Sequence, residues 1–195
     1  RGVVGCIVAP KRSTPCVLGP VEAQAAVTVG AAVVEADEQA ELQLVAVGAY
    51  QLIDARRAAE RLRASGKRVS VGCILEPGRL RSPRDEFEAR FVLTDSAIEA
   101  LFPPDLPRVL VTHTRPEPLL GVLRRLDGGP KRLRAHGYIS RGGTLDAPGM
   151  LFANRCTWAH LAASAAELLG IPLEAILQPA EQEAVLGRAP PTALR

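Results

Sequence analysis

The side chains with chemistry to offer sit just past apolar runs. Lys11 and Arg12 follow residues 3–9, "VVGCIVA", in a basic turn between Pro10 and Pro15. A flexible ammonium just beyond a strand end is a good point-charge ligand for phosphate, and a neighbouring guanidinium can assist. A solvated basic turn has the same composition, so both readings stand for Lys11 and Arg12. His113 closes the run "RVLVTH", where a pocket residue of an α/β sheet would sit, or a histidine at a domain contact. His136 and Tyr138 lie two apart in "LRAHGYISRGG", residues 133–143, and strand alternation would put them on one face. Their polar tips favour packing: an imidazole and a phenol hydrogen-bonded at a strand end or lining a domain interface. Arg141, followed by Gly142 and Gly143, reads as a solvated loop arginine, with contact to a phosphate or an adjacent subunit as the other reading.

Several chemistries lack their signatures. There is no G-x-G-x-x-G, no Walker loop, no G-x-S-x-G elbow and no H-E-x-x-H. His113, His136 and His160 are far apart in sequence, so no metal site is predicted. His160, beside Trp158 in an Ala/Leu run, reads as packing, and so does Tyr50. Asp37, Glu38 and Glu41 form a solvated acidic face in a polar connection. The cysteines at 6, 16, 73 and 156 have no C-x-x-C spacing; Cys6 and Cys73, inside apolar runs, read as small buried hydrophobes in a reducing compartment. No complete catalytic set emerges, and no catalytic residue is assigned.

These residues need elements to position them. At 47% hydrophobic residues but only 4% aromatic, the 195-residue chain suits helices packed on a mostly parallel sheet. Strands are predicted at 3–9, 32–35, 44–48, 69–75, 109–112 and 133–138. Helices are predicted at 21–31, 50–65, 95–102, 117–126 and 154–169. Their alternation predicts an α/β three-layer sandwich with a mostly parallel, about five-stranded sheet over residues 1–170. Ligands on such sheets gather at the carboxyl ends of the strands. Residues 171–195, rich in turn signals, read as a partly mobile tail. A net charge of +3, with arginine spread throughout, argues against nucleic acid, and no apolar run is long enough to span a membrane. With Arg1 first and Met150 the sole methionine, the chain reads as a processed protein or a piece of a longer one.

The order of segments resembles the C-terminal domain of phosphoketolases, thiamine-diphosphate enzymes of the transketolase superfamily. The resemblance is carried by "LTDSAIEALFPPDLPRVLVTH", through Leu93, Asp95, Ala100, Leu101, Phe102, Asp105, Pro107 and His113. "CIVAPKRSTP", "HGYISRGGTLDAPG" and "NRCTWAHL" follow in the family's order. Departures are "HTR" where the family has His-Gly-Tyr and "PKR" where it has Ser-Lys-Gln. The resemblance implies that Lys11 reaches the phosphate of a ketose phosphate such as xylulose 5-phosphate or fructose 6-phosphate. It implies no cofactor on this chain, with thiamine diphosphate and magnesium held by the N-terminal and middle domains of the parent enzyme. It also implies a cytoplasmic homodimer. A transketolase-type domain and a non-catalytic assembly or regulatory module are the alternatives.

Overall fold

The computed structural model describes residues 13–139 and 143–194. The predicted strand at 3–9, with Cys6, lies outside the described residues, as do Lys11, Arg12 and Arg141. In chain order the elements are α1 (Pro20–Val29), β1 (Ala31–Glu35), β2 (Leu42–Val47), α2 (Ala49–Ala64), β3 (Val69–Ile74), α3 (Glu86–Ala89), α4 (Asp95–Leu101), β4 (Arg108–Thr112), α5 (Pro116–Val122), β5 (Leu133–His136), α6 (Ala147–Ala153), α7 (Trp158–Leu169) and α8 (Pro179–Val185).

The strands form one sheet in the order β1-β3-β2-β4-β5. β2 pairs in parallel with β3 and β4, β4 pairs in parallel with β5, and β1 joins the edge antiparallel to β3. Every residue of β2, β3 and β4 is buried, the signature of parallel strands covered on both faces. Alternation divides the core. Leu42, Leu44, Ala46, Val69, Val71, Val109 and Val111 face α2 and α7. Val45, Val47, Ile74, Leu110 and Leu133 face the layer holding Ile98 of α4 and Leu123 at the end of α5. The architecture is the expected three-layer α/β sandwich. In α2 the inward positions Ala55, Ala58, Ala59 and Leu62 are fully buried, and three alanines let the helix lie close to the sheet. No helix of the described residues is long and apolar enough to cross a membrane.

Some boundaries differ from the sequence expectation. The helix predicted over 154–169 starts later, as α7 from Trp158, and an unpredicted helix, α6, precedes it. The break falls at Arg155, whose φ of 54° is left-handed. Asn154 holds the break: its Oδ1 accepts from the Ile139 N–H at 2.5 Å and its Nδ2 donates to the Met150 carbonyl at 2.8 Å. Asp146 starts α6 by accepting from the Gly149 N–H. The helix predicted to reach residue 126 ends at Val122 and continues as a 3-10 turn, Arg124–Leu126, which keeps Leu123 and Leu126 in the core. Residues 77–80 and 86–89, between the strand predicted at 69–75 and the helix predicted at 95–102, carry short helical turns.

The segment after Gly170, with its turn signals, folds back over α2 and α7. It places Ile176, Leu177, Ala184 and Leu194 in the core cluster. The Trp158 indole donates to the Leu194 carbonyl at 2.9 Å. Arg61 reaches the Ile176 carbonyl and the Glu181 carboxylate, and the guanidinium carbons of Arg57 and Arg61 lie 4.6 and 5.1 Å from the Trp158 ring centroid.

Candidate functional site

The carboxyl ends of β2, β4 and β5 converge on a recess of about 110 Å³. Gln51, Thr112, His113, Tyr138, Asn154 and Cys156 bring polar groups to its lining. Gly48 makes the close approach possible. Its φ is 121°, and a Cβ there would fall 2.4 Å from Gln51 Oε1 and 2.9 Å from His113 Nδ1. The His113 ring is anchored at 2.9 Å to the Val47 carbonyl. A carbonyl only accepts, so Nδ1 carries the proton and Nε2 is the ring nitrogen left open to the recess. The floor is tied by Thr112 Oγ1, which lies 3.0 Å from Thr114 Oγ1 and accepts from the Thr114 N–H. The Tyr138 N–H donates to the Thr114 carbonyl at 2.8 Å, and its ring is 41% exposed at the mouth.

His136 does not line this recess. β5 ends at His136, and the ring turns to α7, where Nε2 lies 2.8 Å from Ser164 Oγ. Burial pushes its pKa down to about 4, against a hydrogen bond with the Arg155 backbone that raises it. His160 sits close by, with Nδ1 2.7 Å from Thr157 Oγ1 and the Phe152 ring packed edge-on. It too falls to about 4, first from burial and then from the nearby His136 and Arg155 charges. Both rings are therefore neutral packing groups near neutral pH. Cys156 donates to the Asn154 carbonyl, and burial pushes its thiol up to about 12, so it offers no thiolate. Asp54 of α2 accepts from the Trp158 N–H at 2.6 Å, capping α7 from outside its own segment. Burial raises its pKa to about 6.

The structure thus brings together two of the described candidates, His113 and Tyr138, and sets His136 apart. The missed polar recess residues are Gln51, Thr112, Asn154 and Cys156. Gln51 carried a legible signal: it falls on the helical face shared by Ala55, Ala58, Ala59 and Leu62, a polar residue where an apolar one belongs. Thr112 gave none, since threonine is ordinary in a strand. The recess can orient a small polar group through hydrogen bonds, with His113 Nε2 among the groups offered. The residues do not fit a thiamine diphosphate and metal site. The recess is smaller than the usual 300–1,000 Å³ or so of a cofactor pocket, and no group of three or more His, Cys, Asp or Glu among the described residues could hold a metal ion.

No family model matches the sequence, and no curated protein matches it. Among solved structures, the fold is similar to part of a transketolase from Leishmania mexicana, with 21% identity over 79% of this chain and 19% of that one, at a TM-score of 0.54. A transketolase from Campylobacter jejuni aligns at 14% identity over 72% of this chain and 19% of that one, TM-score 0.53. A split-gene transketolase described as an inactive β4 tetramer aligns at 17% identity over 81% of this chain and 47% of that one, TM-score 0.51. The chain therefore spans about a fifth of the single-chain enzymes and about half of the split one.

Proposed function

We propose that the chain is the C-terminal α/β domain of a thiamine-diphosphate enzyme of the transketolase superfamily, phosphoketolase-like in its reaction on a ketose phosphate. The carrying observation is the sheet, four parallel strands with an antiparallel edge strand, whose fold is similar to a part of transketolases. The recess at its carboxyl end supplies hydrogen bonds but no acid–base pair of its own. On this reading the cofactor, the magnesium and the catalytic bases belong to the N-terminal and middle domains of a cytoplasmic homodimer. Lys11, with Arg12, contributes a contact to the substrate phosphate, and His113, Tyr138 and Arg141 face a neighbouring domain. His136 acts as a half-buried support behind that face. The transketolase reaction is the second reading, favoured by the names of the similar structures.

The test is reconstitution. The chain alone, given thiamine diphosphate, magnesium, xylulose 5-phosphate and inorganic phosphate, should turn nothing over. Joined to the rest of its enzyme it should form acetyl phosphate; transfer to an aldose without acetyl phosphate would mark the transketolase reaction. Lys11→Ala in the full enzyme should raise KM for the sugar phosphate about tenfold, as expected for losing one charge-assisted contact. Turnover by the isolated chain would refute the proposal. Unchanged kinetics with weakened assembly would instead identify an assembly module.

A further inference from the structure

A cleft of about 340 Å³ lies between α2, α6, the start of α7 and the turn at Pro191–Leu194. That is the lower end of the usual small-molecule site, about 300–1,000 Å³. Pro148, Leu151, Phe152, Pro191 and Leu194 give it apolar walls. Leu151 is the lining residue it shares with the recess at the strand ends. Two charged residues, Asp54 and Arg57, line the same cleft. They stand three apart on α2, so they are neighbours on one helix face, about 5–6 Å apart at Cβ.

The two charges do not bond each other. Asp54 Oδ1 accepts from the Trp158 N–H at 2.6 Å. Oδ2 accepts no hydrogen bond among the described residues, and no lysine, arginine or histidine among them forms an ion pair with Asp54. Asp54 is half-buried. Burial raises its pKa to about 6 and outweighs both the Trp158 hydrogen bond and the Arg57 charge. The carboxylate is therefore short of compensating positive charge. Arg57 is drawn elsewhere: its Nη1 donates to the Leu194 carbonyl at 3.2 Å, and its guanidinium carbon lies 4.6 Å from the Trp158 ring centroid. Its side chain is exposed, so a positive charge borders the same space. The other polar residue of the lining, Thr157, already has Oγ1 2.7 Å from His160 Nδ1. A carboxylate and a guanidinium that do not bond each other, set beside apolar walls, complement a molecule with ammonium and carboxylate on one carbon and an apolar side chain.

We propose that this cleft binds a free α-amino acid with an apolar side chain of leucine or phenylalanine size. The ammonium donates to Asp54 Oδ2, the carboxylate lies beside the Arg57 guanidinium, and the side chain packs on Leu151 and Phe152. A lone ammonium meets the repulsion of Arg57 and a lone carboxylate that of Asp54, so the pair selects the zwitterion. The proposal does not rest on the enzyme reading, because every group it uses lies on this chain and outside the recess apart from Leu151.

The test is titration of the full chain with L-phenylalanine and L-leucine, by calorimetry and by fluorescence of Trp158. Trp158 is the sole tryptophan; its N–H meets Asp54 and its ring meets Arg57. Binding of at least one amino acid, with a change in Trp158 emission, is expected. The matching amine without the carboxylate (2-phenylethylamine or 3-methylbutylamine) should bind at least about tenfold more weakly, and so should the matching acid without the ammonium (3-phenylpropionate or 4-methylpentanoate). Arg57→Gln should weaken the amino acid about tenfold and not the amine; Asp54→Asn should weaken the amino acid about tenfold and not the acid. Should Asp54→Asn not fold, Arg57→Gln and the ligand series on the native chain still decide. No binding up to about 10 mM, equal binding of the amine or the acid, or heat of binding with no change at Trp158 would overturn the proposal.

Discussion

At the scale of single residues, buried titratable groups set the response to acid. His136 and His160 are held down to about 4 by burial, whereas an unfolded histidine titrates near 6.5, about its ordinary value. Between those limits the unfolded chain binds the extra protons, so stability falls as pH drops from about 6.5 to about 4. Asp54, raised to about 6 by burial, works in the opposite sense. The folded chain takes its proton first, so this group adds stability as pH falls from about 6 toward about 4. Two histidines outweigh one carboxylate, and a net loss on acidification is expected. Asp54→Asn keeps an oxygen for the Trp158 N–H but removes the offset, so its loss should be steeper. Urea midpoints across about pH 4 to 7 check both signs, and a flat profile would contradict the account. Steric fit makes a second prediction. A Cβ at Gly137 would lie 2.4 Å from the Thr114 carbonyl oxygen and 2.8 Å from Pro116 Cδ. Gly137→Ala should cost about 1–3 kcal/mol, while Gly78→Ala, with no atom within 4 Å, should be close to neutral in the same denaturation assay.

At the scale of elements, α2 and α7 form one layer that the last segment completes. Leu177 is 2% exposed within that cluster. Leu177→Ala should destabilise the whole fold by about 2–5 kcal/mol, read as a lowered Tm with unchanged cooperativity. A separate early transition would show instead that residues 171–194 are an independent flap. The buried recess residue Gln51 likewise belongs to an element: it arrives at the strand ends because Gly48 lets α2 start immediately after β2.

At the scale of the molecule, β2 is the centre, flanked by β3 and β4 and buried along its length. Its amides should exchange at the slowest rate in the protein, through global unfolding. Those of α1, where Val21 and Val27 are 80% and 59% exposed, should exchange through local opening. Hydrogen exchange followed by mass spectrometry checks the order; equal protection in α1 would mean that another surface covers it.

By itself the sequence determined the layer architecture and the strands from residue 31 onward, because continuous apolar runs such as "LVAV" and helical spacing in "YQLIDARRAAERL" are local properties of the chain. It also placed His113 and Tyr138 at strand ends. Only the tertiary structure decided that His136 turns to Ser164 and not to the recess, that a left-handed Arg155 separates an unpredicted α6 from α7, and that the last segment closes the core. Each of these depends on a partner far away in the chain: Ser164 for His136, Ile139 for Asn154, Trp158 for Leu194. A glutamine within a buried strand is visible in the sequence, but which end of its amide remains unpaired is set by the Leu101 carbonyl, 58 residues away.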